Sequence, residues 1–283
     1  MGESTALDSL IDLALAEDVG SGDWTTEWTV GPEALGNAVI VAKEPLVAAG
    51  TELACLVFQR VEARLEVTLE AADGDEVRAG DHILQIHGPL RGILTGERVA
   101  LNFLGRLSGI ATLTRRYVDA VRGTGARILD TRKTTPGWRD LEKAAVRAGG
   151  GENHRMGLHD MVLVKDNHLV AAGGVRAAVE RIRERNGAGL PIEVEVETLT
   201  QLDDLLPLMV DRILLDNMDP DTMRKAVRRV HSLGESRPLV EASGNVSLDS
   251  VRAVAETGVD LISVGALTHS AASADLSLRI LVR

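Results

Sequence analysis

Arg212-Ile213-Leu214-Leu215-Asp216 is a short apolar run that ends in a carboxylate, and residues at helical spacing follow it over positions 220–230. This order of elements predicts a buried β-strand followed by an amphipathic helix. The same pattern recurs six times between residues 127 and 264. The predicted strands are residues 127–130, 161–165, 192–195, 212–216, 238–241 and 261–264, and the helices include residues 138–147, 175–185, 199–206, 220–230 and 248–256. Such alternation predicts an α/β fold with a parallel sheet.

The sheet is either open and doubly wound or closed into a β/α barrel. In a barrel, the carboxyl ends of all strands meet at one mouth. Polar or glycine residues follow every predicted strand, namely Asp130-Thr131-Arg132-Lys133, Lys165-Asp166, Glu195, Asp216-Asn217, Glu241-Ala242-Ser243-Gly244 and Gly265. A single strand end is often polar only because it borders solvent, but six in succession favour one common site. We therefore predict a barrel.

The N-terminal part of the chain follows a different pattern. Apolar residues at helical spacing from Leu7 to Leu15 predict a helix that ends at Gly20. Short alternating or β-branched runs between residues 36 and 87 predict a small strand-rich unit. Helical spacing returns over residues 92–121 and predicts one or two helices, with an interruption near Ser108-Gly109.

Composition excludes several classes of protein. A net charge of -11 has the wrong sign for binding the nucleic-acid backbone, and only six residues are Phe, Trp or Tyr, which leaves no base-stacking platform. Cys55 is the only cysteine, so an internal disulfide and a thiolate zinc site are both excluded. We find neither a signal-peptide pattern nor an apolar run long enough for a membrane span, and we expect a cytoplasmic protein without membrane contact.

Positive charge is concentrated in one part of this acidic chain. Residues 98–165 hold 13 Lys and Arg against 6 Asp and Glu, a net charge of +7. A local basic site of this kind suits a small polyanionic substrate. Solvated helix faces explain several of these cations, but they do not explain Arg132-Lys133 after a strand or His154-Arg155 after three glycines.

The type of cation indicates the type of ligand. An arginine side chain is a planar fork that binds carboxylates and phosphates through two parallel hydrogen bonds, whereas lysine is a point charge. The candidate carboxylate ligands are therefore Arg98, Arg132 and Arg155, with neutralising charge from Lys133 and Lys165. His154 and His159 lack the spacing of a helical zinc pair, so we predict no zinc site.

Two glycine-containing segments follow the last two predicted strands, Ser243-Gly244-Asn245 and the run from Gly265 to His269. Glycine lets the backbone approach an anion, and a helix that begins there presents free N–H groups. Each segment alone is a weak signal because Ser-Gly is also an ordinary turn. Since the late strands of barrels often bind phosphate, the two together predict a phosphate site.

Glu195 and Asp216 are carboxylates in an otherwise cationic mouth. Mg²⁺ prefers a few carboxylates together with substrate phosphates and water, so these two residues are candidate magnesium ligands. The alternative is that they pair with Lys165 or Lys133. The two roles are compatible.

The motifs occur in one order along nearly the whole chain, and in that order they resemble the quinolinate phosphoribosyltransferase family, also called nicotinate-nucleotide pyrophosphorylases (carboxylating). The resemblance is carried by residues 17–26, 97–102, 108–112, 130–137, 149–155, 165–168, 193–197, 215–218, 241–245 and 265–270. It implies an N-terminal α/β open sandwich domain (residues 1–112), an incomplete TIM-like β/α barrel (113–270) and a C-terminal segment (271–283) that returns to the first domain.

The resemblance also implies an activity and an assembly. Quinolinate and 5-phosphoribosyl-1-pyrophosphate would react with Mg²⁺ present to give nicotinate mononucleotide, pyrophosphate and CO₂, a step of NAD biosynthesis. Members of the family work as homodimers, some of which assemble further. The N-terminal domain of one subunit closes the barrel mouth of the other, and Arg98 would come from the partner subunit.

The roles that the resemblance implies fall into three groups. The ligands of quinolinate and pyrophosphate would be Arg98, Arg132, Lys133, His154, Arg155 and Lys165. The catalytic residues would be Lys133, Lys165, Glu195 and Asp216. Glu195 and Asp216 would face the ribose hydroxyls and the metal. The 5-phosphate would bind to Ser243, Gly244, Gly265 and His269.

Three other functions stay open. A transferase of the same fold would use another base, such as nicotinate, without decarboxylation. A Schiff-base aldolase would use Lys165 as a nucleophilic amine. A non-catalytic sensor would bind phosphosugars without turning them over.

Overall fold

The computed structural model describes residues 3–281, with side chains from Ala6 to Leu281. The chain divides into two compact units. As far as its residues are described, the first comprises Met1–Leu113, Thr135–Gly150 and Ala271–Arg283, and the second comprises Thr114–Thr134 and Gly151–Ser270. The division into domains at residues 1–112, 113–270 and 271–283 stays a prediction from the sequence.

Eleven α-helices and twelve strands form within the described residues. The helices are α1 (Glu3–Val19), α2 (Trp24–Thr29), α3 (Thr51–Val61), α4 (Leu90–Ala120), α5 (Arg139–Ala148), α6 (Asp166–Ala172), α7 (Val175–Arg185), α8 (Leu199–Leu205), α9 (Pro220–His231), α10 (Val251–Ala255) and α11 (Ala266–His269). The strands are β1 (Leu35–Ala42), β2 (Leu46–Val47), β3 (Glu66–Leu69), β4 (Glu76–Val77), β5 (His82–Pro89), β6 (Arg127–Leu129), β7 (Val162–Val164), β8 (Ile192–Val196), β9 (Arg212–Asp216), β10 (Leu239–Ser243), β11 (Leu261–Ser263) and β12 (Leu276–Leu281). No helix within residues 3–281 is long and apolar enough to cross a membrane.

The first unit contains an antiparallel sheet in the order β12-β1-β5-β3. The C-terminal strand β12 pairs with β1, so the end of the chain returns to the first unit. Helix α3 was not predicted, because it lies inside a region whose short runs read as strands. Its buried residues Leu53, Ala54, Val57 and Phe58 nevertheless have helical spacing, which is the signal that could have found it.

The predicted interruption near Ser108-Gly109 is wrong, because α4 is continuous through both residues. The Ser108 hydroxyl accepts the Ala49 backbone N–H at 3.1 Å and donates to the Ala49 carbonyl oxygen at 3.2 Å. A Cβ added to Gly109 would lie 1.9 Å from the carbonyl oxygen of Ala272. This glycine therefore permits close packing of backbone against a helix and does not end the helix.

The second unit contains a parallel sheet in the order β6-β11-β10-β9-β8-β7. Each strand from β7 to β10 pairs with the next along the chain, and β6 pairs with β11, which is the circular order of a barrel. In a doubly wound sheet the strand order reverses direction. Within the described residues no ladder joins β6 to β7, although Glu152 forms a parallel bridge with Leu129 of β6. The predicted incomplete barrel is the arrangement found.

Candidate active site

A cavity of about 610 Å³ opens in the second unit, and residues from the ends of all six strands line it. It brings together nearly all the predicted site residues, Arg132, Lys133, His154, Arg155, Lys165, Glu195, Asp216, Ser243, Gly244, Gly265 and His269. Arg98 is exposed on α4 in the first unit and does not line this cavity, so its service to a partner subunit stays a prediction. Asn217, Asn245 and Glu241 also line the cavity. The sequence analysis named them only as parts of polar strand-end segments and gave them no individual role.

Two arginines occupy one side of the cavity. An Nη1 hydrogen bond to the Met161 carbonyl oxygen, at 3.1 Å, ties down the Arg155 side chain. Burial lowers the pKa of Arg155, and the nearby positive charge of Arg132 lowers it further. Two guanidinium groups this close repel each other, and an anion bound between them relieves the repulsion.

The backbone of Lys133 is fixed by threonines. Thr268 Oγ1 donates to the Lys133 carbonyl oxygen at 2.8 Å, and the Lys133 N–H donates to Thr131 Oγ1 at 3.1 Å. A Cβ added to Gly265 would lie 3.1 Å from Lys133 Cδ, so the glycine makes room for the lysine stem. These contacts hold the lysine in the cavity wall without engaging its ammonium.

Negative charge enters the cavity lining through Glu195 and Asp216, which accompany Lys165. Lys165 Nζ lies 3.6 Å from Glu195 Oε2. Burial raises the pKa of Glu195; Lys165 lowers it, and the negative charge of Asp216 raises it again. Two carboxylates that repel each other in the lining of a cavity are a donor set that suits Mg²⁺. The alternative pairing with Lys165 is present as well, for Glu195.

The loops after β9 and β10 pack closely against each other and are joined by hydrogen bonds. Gly244 has a φ of +103°, and a Cβ there would lie 2.2 Å from Asn217 Oδ1. The Asn217 N–H donates to the Ser243 carbonyl oxygen at 3.0 Å, and its side-chain Nδ2 donates to Asp216 Oδ2 at 3.1 Å. Asn217 and Asn245 themselves have φ values of 52° and 46°, a conformation that asparagine tolerates. The asparagines thus connect the carboxylate of Asp216 with the Ser243-Gly244 loop.

A group of buried charged residues adjoins the cavity, and two of its members, His154 and Glu241, help to line it. His154 is 9% exposed, and Glu193 and Glu241 are 0% exposed. The ring atom Nε2 of His154 lies 3.1 Å from Glu193 Oε2 and 3.5 Å from Glu241 Oε1. Arg212 Nη1 donates to Glu241 Oε2 at 2.9 Å. We refer to His154, Glu193, Glu241 and Arg212 as the His154 cluster.

The other ring nitrogen of His154 binds the backbone, because Nδ1 accepts the Arg155 N–H at 2.7 Å. Burial alone would lower the pKa of His154, but its contacts with Glu193 and Glu241 raise that pKa to about 9. The cluster therefore holds an additional proton at neutral pH. Nδ1 accepts the Arg155 N–H and therefore carries no proton in this arrangement, and burial together with the nearby Glu241 raises the pKa of Glu193.

The sequence analysis missed Glu193 and Arg212 as members of a charged cluster. The available signal was the period of two along β8, which turns Glu193 and Glu195 to the same side of the strand. Nothing in the local sequence, however, distinguishes a mouth residue from a residue one layer deeper. That distinction depends on the strands that pair on either side.

Comparisons with known proteins agree along almost the whole chain. Residues 23–108 match the family described as quinolinate phosphoribosyl transferase, N-terminal domain, and residues 110–279 match the C-terminal domain of that family. A probable nicotinate-nucleotide pyrophosphorylase [carboxylating] of Synechocystis is 45% identical over 97% of this chain and 92% of its own length. The nicotinate-nucleotide pyrophosphorylase [carboxylating] of Mycobacterium leprae is 44% identical over 98% of both chains. The structure of the nicotinate-nucleotide pyrophosphorylase from Francisella tularensis superposes with a TM-score of 0.93 at 35% identity, over 99% of this chain and 98% of that one.

Proposed function

The chain belongs to the quinolinate phosphoribosyltransferase family, and from this premise we propose that it transfers a phosphoribosyl group to quinolinate in NAD biosynthesis. The substrates are quinolinate and 5-phosphoribosyl-1-pyrophosphate, and the products are nicotinate mononucleotide, pyrophosphate and CO₂. One observation carries the proposal: four Lys and Arg side chains and three carboxylates line a single cavity beside two glycine loops. The cytoplasmic location stays a prediction from the sequence.

The cations bring together two substrates that repel each other. Quinolinate is a dianion and the phosphoribosyl donor carries several negative charges, so holding both out of bulk water needs dense positive charge. We assign the quinolinate carboxylates to Arg132, Arg155 and Lys165, and the pyrophosphate to Lys133. Arg98 would add a further guanidinium from the second subunit of a homodimer, and its exposure on α4 suits that role.

The carboxylates serve the sugar and the metal. Glu195 and Asp216 would hold Mg²⁺, which when bound neutralises charge on the pyrophosphate as it leaves. The same two side chains stabilise the positive charge that develops at C1 of the ribose. Ser243, Gly244, Gly265 and His269 hold the 5-phosphate and so orient the ribose.

Decarboxylation follows from the first bond that forms. When the pyridine nitrogen bonds to C1 of the ribose, the nitrogen becomes cationic. The C–C bond to the 2-carboxylate then breaks, its electron pair stays on the ring carbon beside that cation, and a proton replaces the lost CO₂. The protein contributes mainly orientation and electrostatic stabilisation, without a covalent nucleophile.

The surroundings of Lys165 argue against a Schiff-base aldolase. Its side chain is 51% exposed and lies beside the Glu195 carboxylate. A nucleophilic lysine is usually desolvated in an apolar pocket or placed next to another cation. Borohydride trapping with a carbonyl substrate should therefore leave Lys165 unmodified.

Product analysis tests the proposed function. Quinolinate labelled in its 2-carboxylate is incubated with 5-phosphoribosyl-1-pyrophosphate, Mg²⁺ and the protein, and labelled CO₂ and pyrophosphate are measured. We expect equimolar release of both, dependent on the donor. Turnover of nicotinate in place of quinolinate would identify the protein as another transferase, and binding without turnover would identify a sensor.

A further inference from the structure

We propose that Glu193 and Glu241 are positioning residues: they hold the ring of His154, and the ring holds the backbone of Arg155 so that its guanidinium stays in place for a substrate carboxylate. The inference rests on the proposed function, because that function gives Arg155 its task. It also assigns His154 a role other than the substrate contact that the family resemblance implies.

The geometry of the His154 ring supports this assignment. Nδ1 accepts the Arg155 N–H at 2.7 Å, and Nε2 faces Glu193 at 3.1 Å and Glu241 at 3.5 Å. Both ring nitrogens are thus engaged within the protein, and neither is left to bind quinolinate or pyrophosphate. The backbone of His154 is fixed too, since its N–H donates to the buried Asp130 Oδ1 at 2.9 Å.

Arg155 needs such support because its charge is close to another of the same sign. Arg132 lies near enough to disfavour the charged form of Arg155. Like charges repel, so when no anion is bound the two guanidinium groups oppose each other's position. A backbone tie to a ring that is held in place opposes the movement and keeps the pair preorganised for an anion.

The unpaired polar atoms of the cluster fit a functional role better than a stabilising one. Both oxygens of Glu193, Oε1 of Glu241 and Nε of Arg212 are buried and have no hydrogen-bond partner among the described residues, so the two glutamates contact the His154 ring by proximity and charge without an aligned hydrogen bond. Buried groups left in this way destabilise a fold, and proteins keep them where a function requires them. His154 Nε2 and one oxygen of each glutamate also lie within 4.8 Å of one another, a spacing that a metal ion fits. Because Arg212 already provides positive charge there, we infer that the cluster works without a metal.

Two substitutions of Glu193 test the proposal. Glu193→Leu removes the contact with the ring, so the KM for quinolinate should rise about 10- to 100-fold, while kcat and the KM for the phosphoribosyl donor change far less. Glu193→Gln keeps a polar oxygen of the same size beside Nε2 and should restore most of the lost affinity. Glu256→Gln, in an exposed ion pair with Arg252, is the matched control. Unchanged KM values in Glu193→Leu, or equal losses in both variants, would overturn the proposal.

Substitutions of His154 provide a second test if Glu193→Leu does not fold. Asparagine at position 154 places an oxygen near the site of Nδ1, so His154→Asn should bind quinolinate more tightly than His154→Ala in calorimetry. Equal affinities would overturn the assignment, as would a stoichiometric metal in the purified enzyme that Glu193→Leu loses. If the unsubstituted protein releases no CO₂ from quinolinate, the proposed function fails instead, and that result is distinct from either of these.

Discussion

Glu142 in the first unit and Glu193 in the second unit are both fully buried, but they differ in the number of hydrogen bonds that their carboxylates accept. In the first unit, Glu142 accepts hydrogen bonds from the Arg106 guanidinium at 2.8 Å and 3.2 Å, and from the Thr135 N–H and hydroxyl at 3.0 Å and 2.9 Å. In the second unit, Glu193 Oε2 lies 3.1 Å from the His154 ring, and neither oxygen of Glu193 has a hydrogen-bond partner among the described residues. A fully bonded carboxylate stabilises the packing of its unit, whereas an incompletely bonded one beneath a cavity indicates a role in function.

Removal of Glu142 should have the largest effect on stability. Glu142→Ala leaves the Arg106 guanidinium without its partner carboxylate, and breaking a buried ion pair in this way typically costs about 3 to 5 kcal/mol. Urea unfolding measures the loss, with Glu256→Gln as the control for an exposed pair. At a temperature where the variant is folded, its KM for quinolinate should be unchanged. A changed KM with normal stability would remove the contrast between the two glutamates.

Arg132→Ala should give the opposite result. We expect quinolinate binding to weaken by about 2 to 5 kcal/mol, the usual range for removing one partner of a desolvated charge pair. Stability should fall far less than in Glu142→Ala, since the repulsion between Arg132 and Arg155 is removed. Calorimetry of quinolinate binding and urea unfolding separate the two effects. Unaltered quinolinate affinity would exclude Arg132 as a carboxylate ligand.

Asp216→Asn extends the comparison to the mouth carboxylates. The amide carries no charge to stabilise the ribose cation, so turnover should fall about 100-fold, while quinolinate affinity changes less. Single-turnover kinetics measures the change in rate, and calorimetry measures the change in quinolinate affinity. The reverse pattern would place Asp216 outside the ribose site.

The smallest effect is expected at Asp260, a well-bonded carboxylate in the second unit. Burial would raise its pKa, but hydrogen bonds from Arg237, both at 2.7 Å, and from the Val240 N–H lower it. A carboxylate whose pKa is lower in the folded state stabilises the fold above the unfolded pKa, about 3.9, and this stabilisation is lost as the pH falls through the folded value.

Asp260→Asn should therefore flatten the loss of stability below about pH 4, by about 1 kcal/mol or less because the pair is partly solvated. Urea midpoints at several pH values measure this. If Asp260→Asn changed the free energy of unfolding as much as Glu142→Ala does, the partly exposed ion pair of Asp260 would stabilise its unit as strongly as the buried pair of Glu142, and the expected order of effects would be wrong.

Most of the barrel could be predicted from the sequence, because buried parallel strands are short apolar runs and their helices are amphipathic. The predicted strand at residues 212–216 is identical to β9, and the predicted helix at 175–185 is identical to α7. Gly109 was misread because a glycine that ends a helix and one that admits a neighbouring backbone look alike in sequence. Only the position of Ala272 distinguishes them.

The amino-acid sequence by itself determined the order of strands and helices and the residues at each strand end, since hydrophobic periodicity and turn chemistry are local properties. It also carried the motifs that place the chain in its family. The tertiary structure alone decided the depth of each charged side chain. Glu193 and Glu195 are two positions apart on one strand, yet the first is fully buried against His154 and the second borders the cavity. Burial, and with it the charge state and accessibility of a carboxylate, depends on what the neighbouring strands bring alongside, and that information is distant in the chain.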